Sequence, residues 1–384
     1  MNNFYFCTPT KVYFGKGQIK VLREVVGTYG KKVLLVYGGG SIKKSGLYDK
    51  VLSLLDGFTI YELNGVEPNP KYESVLEGVK ICKEKGIDVV LAVGGGSVID
   101  CSKAICAGAK YDGETWDLIS YKAKVDSKIP LVTILTLSAT GSEFDYGAVI
   151  SRMDTNEKVG YCDDVLKPEA SITDPEYTFT VPANQTAAGS VDIISHVLEQ
   201  YFTDKSSFIA DCMCESVLKT VIKYAPIAIK NPNDYEVRAN LMWASSLGCN
   251  GILSLGNNGY AWSCHQMEHV LSAYYDITHG VGLAIVTPRW MEYILSEKTL
   301  PVFVKYGKNV WGIDGLSDQE TARLAIKKTY DYFLSLGIPM TLKEVGIGEE
   351  KLEEMAKRAS DSGLLDAYIP LNAQAVLEIY KACL

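Results

Sequence analysis

The chain has four histidines, His196, His265, His269 and His279. Asp192 and His196 stand four residues apart in Val191-Asp192-Ile193-Ile194-Ser195-His196-Val197-Leu198, which puts a carboxylate and an imidazole on one face of an otherwise apolar helix. A buried aspartate without a partner is costly, so Asp192 should be paired or bound to a cation. His265-Gln266-Met267-Glu268-His269 repeats the spacing, and His279 follows ten residues later, near the start of another apolar run. An aspartate with two or three histidines makes a site for a borderline divalent metal such as Zn²⁺ or Fe²⁺. Cys264, next to His265, reads as a neutral buried thiol, and Cys212 and Cys214 as two small apolar side chains on a helix. The string H-x-x-E-H also matches a metallopeptidase signature. That rival leaves the Asp192/His196 pair and the glycine turns described next unexplained.

The second feature is a near-repeat. Val33-Leu34-Leu35-Val36-Tyr37 runs into Gly38-Gly39-Gly40-Ser41, and 56 residues later Val89-Val90-Leu91-Ala92-Val93 runs into Gly94-Gly95-Gly96-Ser97. Glycines after a strand let the backbone turn tightly and approach an anion, and a following helix N-terminus offers free N–H groups. A single GGGS turn is equally well a structural turn. Two copies, with Thr136-Leu137-Ser138-Ala139-Thr140-Gly141-Ser142 after a third apolar run, point to a nucleotide lying across several strand ends. The first turn carries no acidic residue for the ribose hydroxyls and leads into Lys43 and Lys44, which favours NADP over NAD; a solvated helix face also accounts for the two lysines.

These residues need elements to hold them. Lys32–Tyr37, Phe58–Leu63, Ile87–Val93 and Ile129–Leu137 read as strands buried on both faces, and Tyr72–Lys85 as an amphipathic helix stopped by Gly86. This is the alternation of a parallel, Rossmann-like α/β sheet. From Val181-Pro182 onward the pattern becomes helical, with Ala187–Phe202, Ser207–Ala228, Tyr235–Leu247, Ala261–Tyr275 and Gln319–Leu336 as helices. The expectation is an N-terminal dinucleotide-binding domain over residues 1–180, an all-helical metal-binding domain over 181–384, and a ligand cleft between them.

Composition narrows the partners. Lysine and arginine total 38 against 46 acidic residues, a net charge of −8, and there is no basic stripe, which argues against nucleic acid. No apolar run approaches the roughly 20 residues of a membrane span, and the N-terminus lacks the pattern of a secretory signal. The ten cysteines include no CxxC pair, consistent with reduced thiols. A soluble, cytoplasmic protein is expected.

At this point the chain resembles the iron-containing (group III) alcohol dehydrogenases, most closely their butanol dehydrogenase-type, NADPH-dependent branch. The resemblance runs through Thr8–Gly17, both GGGS turns, Glu67-Pro68-Asn69-Pro70, Ala139-Thr140-Gly141-Ser142-Glu143, Gly147–Ser151 and the histidine segments. It implies a dehydroquinate synthase-like architecture, one divalent metal, iron or zinc, and a homodimer. Carried over by matching positions, the metal ligands are Asp192, His196, His265 and His279. The cofactor would fall on Gly39, Gly40, Ser41 and Asn69, on Gly95, Gly96, Ser97 and Asp100, and on Thr136, Ser138 and Lys158. Phe144-Asp145-Tyr146 departs from the family, which commonly has a small residue and an asparagine after the glutamate, and is expected near the nicotinamide and substrate. Ser138 also stands where a small apolar residue is more usual.

The implied activity is reversible hydride transfer between a primary alcohol or its aldehyde, such as butanol or butanal, and NADP(H) or NAD(H), with the metal as Lewis acid. His269, one turn from His265, is the candidate proton relay, with a hydrogen bond orienting a ligand as its other reading. Trp262 reads as a substrate wall or as core packing. A dehydroquinate synthase-like lyase and a non-catalytic nucleotide binder are the remaining alternatives.

Overall fold

The computed structural model describes residues 1–259 and 261–384. Among the described residues eight strands form: β1 (Lys11–Phe14), β2 (Lys32–Tyr37), β3 (Thr59–Leu63), β4 (Val89–Gly94), β5 (Leu131–Leu135), β6 (Gly147–Arg152), β7 (Glu157–Cys162) and β8 (Ala170–Thr173). Six of them make a sheet in the order β1-β8-β5-β4-β2-β3, parallel throughout, while β6 and β7 pair as an antiparallel hairpin. Seven helices carry the argument: α1 (Tyr72–Lys85), α2 (Gly96–Gly108), α3 (Ala183–Tyr201), α4 (Phe208–Lys230), α5 (Tyr235–Gly248), α6 (Ser263–Tyr275) and α7 (His279–Ile294).

The strands are apolar without alternation because both faces are covered. Leu34, Val36, Val90 and Ala92 enter one core layer with Val75 and Val79 of α1, and Val33, Leu35, Val89 and Leu91 enter a second layer with Leu22, Val26 and Val51. From β2 the chain moves outward to β3, and from β4 it moves the other way to β5. The ends of the adjacent strands β2 and β4 are therefore the point where strand order reverses, the usual place for a ligand on such a sheet. Both GGGS turns leave from it, with Tyr37 in register with Val93.

The chain divides into two compact units, one of residues 7–181 and 232–246, the other of 1–6, 182–231 and 247–384. The change of character near residue 181 is thus where the α/β part first ends, but two segments depart from a simple halving. Residues 1–6 belong with the helical part, and residues 232–246, most of α5, belong with the α/β part. The reason lies in aromatic packing: Trp243 stands edge-on to Phe14 at 5.8 Å and near Phe144 at 6.1 Å, and the Tyr235 hydroxyl accepts from the Lys16 N–H at 3.1 Å.

Candidate metal centre and dinucleotide turns

In the helical unit α3 is buried on every side from Thr186 to Tyr201, so its polar residues have no water to turn to. Asp192 and His196 lie one turn apart on it, with His196 Nδ1 3.4 Å from Asp192 Oδ1. His265 of α6 brings Nε2 to 3.7 Å from the same oxygen, and His279, first residue of α7, brings Nε2 to 3.5 Å. Gly280 allows that approach, since a Cβ there would fall 2.0 Å from the Ala188 carbonyl oxygen of α3. Donor atoms of Asp192, His265 and His279 all lie within 4.8 Å of one another, and the His196 ring stacks on that of His265 at 4.5 Å.

The donor set fits a metal ion. Bonds of about 2.1 Å in a tetrahedron put neighbouring donors about 3.4 Å apart, close to the three separations found around Asp192. Asp192 Oδ1, His196 Nδ1 and His265 Nε2 are buried and have no hydrogen-bond partner, a costly state unless a cation is their partner. Burial works against ionising Asp192, yet the rings of His196 and His279 hold its carboxyl well below the usual range. Burial pushes His196 down to about 3, so its ring is neutral and able to ligate. Burial also opposes a charged His265, but Glu199 and Asp192 outweigh it and hold the ring up to about 9.

Two orienting carboxylates went unread in the sequence. Glu199 accepts from His265 Nδ1 and from the Cys264 N–H at 2.7 Å, and Glu268 accepts from His279 Nδ1 and the Ser272 hydroxyl. Each fixes the tautomer that leaves Nε2 facing Asp192. The available signal was a charged residue one turn after His196 on an apolar helix. Glu268, the acid of the H-x-x-E-H string, is thereby occupied in holding a histidine, contrary to the peptidase reading. Cys264 is fully buried and burial pushes its thiol well up, so it stays neutral. His269 is buried one turn beyond His265, its ring 5.6 Å from that of His279. Trp262, at a left-handed φ of 49°, sets its ring edge-on to His196 and His265 and lines a cleft with Phe202, Trp290 and Tyr368.

In the α/β unit the first turn presents Gly39, Gly40 and Ser41 at the end of β2. A Cβ on Gly39 or Gly40 would meet nothing within 4 Å. Asn69, buried at φ 49°, precedes Pro70, whose carbonyl accepts from the Ser151 N–H at 2.9 Å; Lys158 sits opposite Ser151 across the hairpin. Ser151 of β6 therefore has the Asn69–Pro70 segment on one side and Lys158 of β7 on the other. Gly95, Gly96 and Ser97 begin α2 beside β5, whose continuation holds Thr136 and Ser138; the Thr136 N–H donates to the Gly94 carbonyl at 3.0 Å.

Two of the expected site residues have partners within the chain. Asp100, expected at the cofactor, has its carboxylate oxygens engaged inside the protein by the Ser142 hydroxyl at 2.5 Å and the Val149 N–H at 2.9 Å. Asp145, expected near nicotinamide and substrate, is buried in an ion pair with Lys103 at 2.6 Å, and Phe144 packs near Trp243. A buried carboxylate must find its partners inside the protein, and both have done so.

Family profiles match nearly the whole chain: iron-containing alcohol dehydrogenase over residues 9–175 and the C-terminal part of the same family over residues 186–384. The chain belongs to the iron-containing alcohol dehydrogenase family. Among its relatives, NADH-dependent butanol dehydrogenase A of Clostridium acetobutylicum is 57% identical, with 99% of each chain covered, and NADPH-dependent aldehyde reductase YqhD of Escherichia coli is 39% identical, with 95% and 94% covered. The crystal structure of NADH-dependent butanol dehydrogenase A from Thermotoga maritima superposes with a TM-score of 0.96 at 40% identity, covering 100% of this chain and 99% of that one. The fold is therefore the dehydroquinate synthase-like fold of this family, and the protein is an oxidoreductase of the alcohol dehydrogenase and aldehyde reductase type, using a nicotinamide cofactor and a metal. The lyase, peptidase and non-catalytic readings find no support in these matches. Among the described residues no helix is long and apolar enough to cross a membrane.

Proposed function

We propose that this alcohol dehydrogenase interconverts a short primary alcohol and its aldehyde, with butanol and butanal as representative substrates, in the cytoplasm and as a homodimer. Asp192, His196, His265 and His279 would hold one divalent metal, iron or zinc. The reading is carried by the Asp192 oxygen, buried without a hydrogen-bond donor and faced by three imidazoles at 3.4–3.7 Å. When bound, the metal supplies a Lewis acid for the substrate oxygen and the dinucleotide supplies or accepts the hydride. Glu199 and Glu268 keep two of the imidazoles in the ligating tautomer. His269, adjoining His279, is placed to hold or pass the proton that the alcohol oxygen gains or loses, and Trp262 walls the substrate side.

Gly39 and Gly40 leave open room for a 2′-phosphate beside Lys43 and Lys44, which supports NADP. NAD has support of its own. The Lys43 ammonium lies over the rings of Tyr37 and Tyr48, whose hydroxyls both donate to Glu62, so it already has partners within the chain. The relatives named above as butanol dehydrogenases are NADH-dependent.

The test is oxidation of NADPH and of NADH with butanal, using protein stripped of metal and reconstituted with Zn²⁺ or Fe²⁺. Activity should return with metal. His265→Ala should lose bound metal and turnover together; turnover without bound metal would sink the proposal.

A further inference from the structure

Lys103 is completely buried on α2, yet all three of its N–H donors are used. They go to Asp145 Oδ1 at 2.6 Å, the Asp145 carbonyl at 3.2 Å and the Gly147 carbonyl at 2.6 Å. One turn earlier on the same helix face, Asp100 accepts from Ser142 and from the Val149 N–H. Asp145 Oδ1 also accepts from the Gly147 N–H at 2.9 Å. Two side chains of α2 thus fasten the segment 142–149 at four residues. Its far side is held too, since Ser246 of α5 donates to Glu143 Oε1 at 2.5 Å and the Ser171 hydroxyl donates to the Glu143 carbonyl.

Stability alone does not call for such a network. Well-packed apolar side chains in place of a buried ion pair are commonly neutral or better, whereas a polar network demands one register. The register matters at the start of α2. There a Cβ on Gly95 would fall 3.2 Å from Leu137 Cβ, and one on Gly96 only 2.4 Å from Thr140 Oγ1. The loop 137–140 lies directly on the second glycine turn, a few residues before the clamped segment.

We propose that Asp100 and Lys103 are positioning residues for the dinucleotide, holding 137–149 in the one register that makes Gly95–Ser97 and Thr136–Ser138 a single rigid cradle. This rests on the reading that those residues hold the cofactor. The experiment titrates NADH and NADPH by fluorescence into the metal-loaded wild type, Ser142→Ala and Lys103→Met, and measures kcat at saturating cofactor together with Tm. Ser142→Ala removes one tether and no charge. It should raise the cofactor Kd about tenfold, with kcat within twofold and Tm little changed. Lys103→Met should raise Kd thirtyfold or more; if it does not fold, Ser142→Ala decides alone. An unchanged Kd in Ser142→Ala, or a loss of affinity, kcat and Tm in step, overturns the positioning role while leaving the cofactor reading intact. Failure of the wild type to bind either dinucleotide removes the underlying reading itself.

Discussion

A Cβ added at Gly39 or Gly40 would stand in open space, whereas at Gly94, Gly95 and Gly96 it would lie 2.5 Å from Val98 Cγ2, 3.2 Å from Leu137 Cβ and 2.4 Å from Thr140 Oγ1. The same tetrapeptide therefore keeps its glycines for different reasons. In the first turn Gly40, at φ 102°, serves the backbone bend, and no part of the chain approaches Gly39. In the second turn the glycines let two parts of the chain touch. The acids beside the turns differ in the same way. Burial would raise Glu62, but the Tyr37 and Tyr48 hydroxyls hold it below its usual value; burial pushes Glu143 up to about 7.

The contrast breaks most sharply with Gly96→Ala. Overpacking against Thr140 should cost about 1–3 kcal/mol of stability by chemical denaturation and weaken the dinucleotide a hundredfold or more; near-wild-type binding would mean the second turn is as open as the first. Glu143→Gln should come next. A carboxyl raised from 4.5 to about 7 on folding contributes stability that is full below pH 4.5, declines as pH rises toward 7 and stays flat above. The glutamine variant should lack that decline and exceed the wild type at pH 8 by about 1–2 kcal/mol, read from denaturation curves at pH 4.5 and 8. Gly39→Asp should lower the NADPH-to-NADH ratio of kcat/KM about tenfold, or about 1.4 kcal/mol. An unchanged ratio would move the 2′-phosphate elsewhere. Gly39→Ala should be the mildest, within about 0.5 kcal/mol in stability.

What the sequence made legible follows from how local each signal is. The strand Lys32–Tyr37 and the helix Tyr72–Lys85 are found with both ends in place, because an apolar run before glycines and a helix stopped by Gly86 need no distant partner. That Asp192 and His196 share one helix face was legible from their spacing, and the structure brings His265 and His279 to the same aspartate oxygen. Glu199 was not legible, since only the fold brings it to His265. Nor were β1, β8 and the β6–β7 hairpin: four residues such as Ala170–Thr173 become a strand through neighbours in the sheet rather than by their own pattern. The membership of α5 was equally hidden, resting on Trp243 and Tyr235 packing against residues more than two hundred positions away.

That excursion of the chain limits how the protein can be rearranged. A fragment ending at residue 181 would lose Trp243, Tyr235 and Ser246, and with them the lid over Phe14, the support of the Lys16 backbone and the tether on Glu143. The α/β half is thus not a transferable cassette. Any chimera that exchanges it for another must carry residues 232–246 along.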